Sequence, residues 1–213
     1  HLAGENVAGK KWSDSFKREI LDSRVLGTQL IANTLAKLAG DNRKRTLISA
    51  SAIGYYGDGG ERSLHEQSPQ GEGFLAEVCR SWEQAATQAL QSSNVRLEIV
   101  RIGVVLSPKG GALQSLALPT KLGVAGKMGS GNQFVSWIAL DDAIYAIHYL
   151  LMSDAPSGTS NLVSPHPVTQ SQFIKTVAKA MHRPSIFPAP APVIKAMLGQ
   201  MGQEVLLFGQ KVA

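Results

Sequence analysis

Ser49 and Ser51 stand two residues apart at the end of the apolar run Thr46-Leu47-Ile48, and Ala52-Ile53-Gly54-Tyr55-Tyr56-Gly57 follows at once. This pattern reads as a buried strand ending in a turn that carries hydroxyls and glycines. Ligands of open α/β sheets sit at the carboxyl ends of strands, so a serine delivered there can touch a reacting carbon. The competing reading is a plain serine/glycine turn without chemistry. Arg101, at the end of a second apolar run, either faces a ligand oxygen or forms a structural ion pair. Gln133 and Trp137 precede Asp141-Asp142, which suit a helix cap. The two can line a cleft, although tryptophan in such a position is also a core residue. None of the five histidines, His1, His65, His148, His166 and His182, has a partner at metal-ligand spacing, and no metal is expected.

Composition narrows the classes. The chain has 213 residues, 44% of them hydrophobic and 17% charged, enough to bury a full core. No apolar stretch approaches the roughly 18 residues of a membrane span, and no charged-then-apolar leader opens the chain. The single cysteine, Cys79, excludes an internal disulfide and agrees with a reducing compartment, so the expectation is a cytoplasmic protein without a membrane partner. A net charge of +5 raises the question of nucleic acid. The basic residues are scattered, however, and the densest cluster, Arg43-Lys44-Arg45, reads as a solvated loop, so no nucleic-acid partner is expected. A milder use of the charge is attraction of a phosphorylated cofactor.

Periodicity supplies the elements that would position these residues. Phe16, Ile20, Leu21, Val25, Leu30, Leu35 and Leu38 recur at near-helical spacing over 13–39, closed by Gly40-Asp41-Asn42. A strand follows over 45–51. Phe74, Val78, Trp82, Ala85 and Ala89 mark one face of a second helix, and 95–105 reads as a strand entering a buried parallel sheet. Helix, strand, helix, strand is the rhythm of a doubly wound α/β fold. Glycine-dense stretches at 107–111 and 123–131 flank a short helix over 113–122 and look like loops over a site. A strand over 134–139, a helix with Ile144, Ile147 and Leu151 on its buried face and a strand over 159–163 come next. Thr169 and Gln172 have capping-box spacing ahead of a helix carrying Phe173, Val177 and Met181. Beyond the proline-rich 187–192 a last apolar helix is expected to run to Ala213, and both ends read as cut. The division expected is 1–163 as part of a dinucleotide-binding domain, with an insertion near 107–133, and 164–213 as a smaller helical region on the substrate side.

The order of these motifs resembles the short-chain dehydrogenase/reductase superfamily, in its extended, epimerase-like branch. Leu2-Ala3-Gly4, Gly27-Thr28, Ser49-Ala50-Ser51 with Tyr55 and Tyr56-Gly57, Arg101-Ile102-Gly103-Val104 and Phe134-x-x-Trp137-Ile138-x-x-Asp141-Asp142 carry the likeness. A narrower likeness, through Gly54-Tyr55-Tyr56-Gly57-Asp58 and Phe74-Leu75-Ala76-Glu77-Val78-Cys79-Arg80, is to an atypical epimerase-like group, some members of which are labelled cell-division inhibitors. The resemblance implies a Rossmann-like parallel sheet, here partial, with the glycine-rich pyrophosphate turn ahead of His1. It also implies NADP or NAD as cofactor, held by Leu2, Ala3, Gly4, Ser49, Ala50, Arg101, Ile102, Gly103 and Val104, with NADP favoured by the charge. By the same resemblance Tyr56, Gln133 and Trp137 line a small-molecule substrate site, and two long helices offer a possible homodimer interface.

The family's reaction removes hydride from a sugar carbon while a tyrosine, tuned by a lysine four residues on, moves the hydroxyl proton. Ser51 matches the orienting hydroxyl. Counting back from Glu83 puts Leu75 at the tyrosine position and Cys79 at the lysine position, and neither can serve. Tyr55 or Tyr56 is then the substitute phenol, with Arg80 as nearby positive charge, and Ser51 with Tyr55 forms the expected catalytic pair. Two functions follow: an NAD(P)-dependent oxidoreductase or epimerase-like enzyme on a hydroxyl substrate, nucleotide-sugar-like or otherwise polar, and a cofactor-binding regulatory protein that has lost catalysis.

Overall fold

The computed structural model describes residues 1–41, 43–91 and 93–213. Three parallel strands, β1 (Thr46–Ala52), β3 (Arg96–Ile102) and β7 (Gly158–Leu162), form the central sheet in the order β1-β3-β7. Thr46 pairs with Arg96 and Ser51 with Arg101, so these two side chains share a sheet face. On the far edge of β1, Ala50 N donates to the carbonyl of His1 at 2.9 Å, which extends the sheet by one residue. Helices cover both faces. Leu47, Leu97 and Ile99 pack with Ala32 and Ala86 of α1 (Asp14–Leu38) and α2 (Phe74–Leu90). Ile48, Ala50 and Val100 instead pack with Ala143 of α4 (Leu140–Met152). This is the doubly wound arrangement that the periodicity predicts.

Local chemistry fixes the ends. Ser13 Oγ accepts from Phe16 N at 3.2 Å and starts α1. Asn42, part of the expected stop signal, lies outside the described residues. Thr169 and Gln172 form the reciprocal capping box expected of them, at the start of α5 (Gln170–Ala180). Asp141 and Asp142 are not the cap of α4. Ala139 occupies that position without a side-chain bond, and the two aspartates lie in the first turn, where their charge favours the helix dipole.

Two expectations are corrected in the second half. The strand over 95–105 breaks at Gly103, and β4 (Val104–Leu106) leaves the central sheet to pair with β6 (Trp137–Ala139). The break follows from close approach, since a Cβ on Gly103 would stand 2.7 Å from the Ser136 carbonyl and 2.8 Å from Val163. The last helix, α6 (Ala191–Gly202), ends early. A π turn (Gln203–Leu207) follows, and β9 (Lys211–Val212) pairs in parallel with β2 (Ser63–Leu64). Between β4 and β6, α3 (Gly111–Lys121) is the predicted short helix, followed by β5 (Phe134–Val135), which pairs with β8 (Val168–Thr169). Among the described residues no helix is long and apolar enough to cross a membrane.

Candidate functional site

A cleft of about 260 Å³ opens at the carboxyl ends of β1 and β3. Ala52, Ile53 and Gly54 form one wall and Ile102, Gly103 and Val104 another. Gly54 and Gly103 leave main chain bare there, which admits a flat ligand close to the backbone. From α2 come Leu75, Cys79 and Trp82, and from α1 Arg24. Trp82 Nε1 donates to the buried Thr28 hydroxyl at 2.8 Å, which fixes the indole. Arg24 is anchored by its bond to the Ile20 carbonyl at 3.0 Å and stacks 5.2 Å from the Trp82 ring. Burial lowers its pKa somewhat, while Cys79 and Glu5 oppose the shift.

The π turn closes the cleft. Glu204 Oε1 accepts from Phe74 N at 3.0 Å and its Oε2 from Leu75 N at 2.8 Å, so a side chain from the far end of the chain caps α2. Gly73, at φ +109°, leaves just room for that carboxylate, 3.0 Å from where a Cβ would stand. Sequence reasoning missed Glu204. Its signal was available, because Glu204 is the only aspartate or glutamate in 155–213 and stands among apolar neighbours.

Ser51 and Arg101, expected to touch ligand, do come together, yet face away from Ala52. The Ser51 hydroxyl donates to Glu83 Oε1 at 2.7 Å. Arg101 grips both oxygens of the same carboxylate at 2.8 Å each and also donates to the Tyr56 hydroxyl and the Glu66 carbonyl, both at 3.1 Å. Neither residue lines the cleft. Their polar atoms are taken up by Glu83 and Tyr56, and the strand-end wall of the cleft begins one residue on, at Ala52 and Ile102. Tyr55 lies under Arg101, its ring centroid 3.5 Å from the guanidinium carbon. Tyr56 is 2% exposed and donates to Asn161 Oδ1 at 2.7 Å. Burial raises its phenol pKa against the lowering pull of Arg101. The structure thus places both tyrosines in the clamp around Arg101.

The remaining expected residues scatter. Ser49 and Ala50 are buried in the sheet, below the cleft. Leu2, Ala3 and Gly4 are exposed, with Gly4 packed against the Arg24 guanidinium. Ile102, Gly103 and Val104 do line the cleft. Gln133 lines an adjoining cavity, its amide donating to the Met128 and Leu206 carbonyls at 3.0 Å each. Trp137 lines a separate groove between α3 and α5. Cys79 is buried, and desolvation with Glu83 nearby pushes its thiol up to about 11, so it is protonated at neutral pH. Among the described residues no group of three or more His, Cys, Asp or Glu is disposed to hold a metal ion.

A parallel sheet wrapped by helices on both faces, with its crevice outside the strand ends, defines a Rossmann-like α/β protein. Similarity to known proteins narrows this class. The chain is 38% identical over 211 residues to the epimerase family protein Mb2239 of Mycobacterium bovis, covering 99% of this chain and 68% of that one. The crystal structure of the human epimerase family protein SDR39U1 with NADPH superposes with a TM-score of 0.88 at 34% identity, over 99% of this chain and 71% of that one. A nucleoside-diphosphate sugar epimerase from Corynebacterium glutamicum matches with a TM-score of 0.69 at 34% identity, over 94% of this chain and 45% of that one. No family model matches the chain. The chain belongs to the epimerase family of these proteins, an atypical branch of the short-chain dehydrogenases/reductases.

Proposed function

We propose that the protein binds a nicotinamide dinucleotide, NADPH in preference to NADH, with its nicotinamide end in the cleft above β1 and β3, and acts there as an epimerase-type oxidoreductase on a hydroxyl or carbonyl carbon. The observation that carries this reading is the cleft itself: bare main chain at Gly54 and Gly103 between apolar walls, at the carboxyl edge of a parallel sheet. The NADPH in the human relative and the net charge of +5 support the choice of cofactor. When bound, the cofactor supplies hydride exchange with a substrate carbon. Ala52, Ile53 and Gly54 with Ile102 to Val104 would form the floor for the ring, and Leu75 and Val205 would exclude water. Arg24 would offer its cation to a cofactor oxygen. Glu204 would hold α2 at the angle that keeps the cleft open.

Neither Ala52 nor Leu75 can carry a proton, the Cys79 thiol stays protonated, and Glu204 is committed to two amides. The alcohol proton is therefore left to solvent. That same feature favours a second reading, a protein that senses cofactor without turning it over. Titrating the full-length protein with NADPH and NADH, read by energy transfer from its tryptophans to the nicotinamide, tests both. Saturation by NADPH at micromolar concentration is expected, with weaker NADH binding. Absence of binding at millimolar cofactor ends both readings, and oxidation of bound NADPH by a carbonyl compound selects the enzyme.

A further inference from the structure

Resting on that cofactor reading, we infer that the substrate is an uncharged, largely apolar carbonyl compound or its alcohol, and not a nucleoside diphosphate sugar. A cavity of about 370 Å³ adjoins the cleft and shares Val104, Val205 and Gln210 with it. A substrate whose reacting carbon sits at the cleft would carry its body into this cavity. None of the described side chains lining the cavity is charged. Phe134, Leu116, Met128, Phe173, Leu206 and Phe208 are among its apolar lining residues.

A diphosphate brings two negative charges, and each unpaired ion costs several kcal/mol to desolvate. Proteins meet that cost with Arg, Lys or helix N-termini. The start of α3 is on the wall, at Gly111 and Ala112, but a helix terminus offers only about half a positive charge. The wall therefore disfavours a nucleotide and suits a neutral body.

One buried amide on this wall has a donor to spare. Gln170 is 3% exposed, its Oε1 accepts from Met128 N at 2.9 Å, and its Nε2 has no partner among the described residues. Of the other amides on the wall, Gln133 is spent on two carbonyls and Gln210 on the Gly57 carbonyl at 2.8 Å, while Asn6 is exposed. The Ser136 hydroxyl donates to the Gln210 carbonyl at 2.7 Å. A buried amide without an acceptor is costly, and a substrate oxygen brought within reach by a small shift of the side chain would relieve it. One turn along α5, Phe173 lines both this cavity and an apolar groove of about 600 Å³ between α3 and α5. Leu113, Ala117, Trp137, Val177 and Met181 continue that groove, and the exposed Lys121 is the one charged side chain among its described lining residues. Its place beyond Phe173 suits an apolar tail whose oxygen is held at Gln170.

The test uses the full-length protein and Nile red, a neutral dye, displaced by methyl ketones from butanone to dodecanone and, separately, by UDP and UDP-glucose. Displacement is expected to strengthen about four-fold per added methylene until the groove is filled. UDP and UDP-glucose are expected not to compete. Gln170→Leu should weaken every ketone about five- to ten-fold while Nile red still binds. If that variant does not fold, Gln170→Glu, which keeps the acceptor for Met128 N, carries the same expectation. Ala117→Trp should abolish the gain for the longest ketones only. Competition by UDP-glucose at lower concentration than the ketones, or ketone affinity independent of chain length, overturns the inference. Failure of NADPH to bind while the ketone series behaves as expected removes the cofactor reading alone, so the two failures are distinguishable.

Discussion

Replacing Arg101 with methionine should be among the most damaging single changes in the chain. Arg101 is 5% exposed and its guanidinium makes four hydrogen bonds, two of them to the carboxylate of Glu83. Methionine keeps much of the volume over Tyr55 but leaves Glu83, its side chain only 11% exposed, with the Ser51 hydroxyl alone. Breaking a buried pair by removing one partner costs about 3–5 kcal/mol, chiefly the penalty of the stranded charge. For a chain of this size that lowers Tm by roughly 6–20 °C, at about 2–4 °C per kcal/mol. Adding Glu83→Leu removes the stranded charge. The double variant should then cost about 1–2 kcal/mol, less than Arg101→Met by itself, the remainder being the lost acceptor of Ser51. Urea unfolding followed by circular dichroism measures the wild type, Arg101→Met, Glu83→Leu and the double variant. An Arg101→Met cost below about 1 kcal/mol, or a double variant as unstable as the sum of its singles, would refute the clamp as a mutually dependent buried pair.

Three further outcomes are expected. Gly103→Ala should destabilise by about 1–3 kcal/mol and weaken NADPH binding, because the new methyl meets the Ser136 carbonyl at 2.7 Å; equal stability and affinity would contradict the close approach. Glu204→Ala should cost about 1–2 kcal/mol and raise proteolytic sensitivity after Gly202, since two α2 amides lose their acceptor; an unchanged digestion pattern would argue against the cap. Cys79 has a thiol pushed above its unfolded value of 9.0 to about 11, so the folded state holds its proton longer than the unfolded state. Stability should therefore fall as pH rises from about 9 to 11, and Cys79→Ala should flatten that slope in a pH series of Tm measurements.

The legible parts of the fold are those written locally. Thr169 and Gln172 are three residues apart, so their reciprocal cap can be read from spacing alone. The helices of the first half show apolar stripes, and the strands show continuous apolar runs. The direction of Ser51 was not legible, because it depends on which residue is last in β1, and a slip of one residue turns every side chain to the other face. Glu83 and Arg101 were readable as chemistry-bearing types. That they satisfy one another is a product of the parallel register of β1 and β3 beneath α2. Glu204 reaches α2 from 129 positions away in sequence, a separation across which spacing carries no signal. The early end of α6 is hidden for a related reason: the π turn and β9 exist through contacts with α2 and β2.

The alternation at Ser51 and Ala52 divides labour within two consecutive residues. Ser51 is tied to Glu83 of α2, and the next residue, Ala52, lines the proposed cleft. Substitutions at Ala52 can therefore retune the proposed cleft without touching the Glu83–Arg101 pair, whereas Ile53 belongs to the core with Tyr56, Leu64 and Val212, which makes Ala52 the natural first target for redesign.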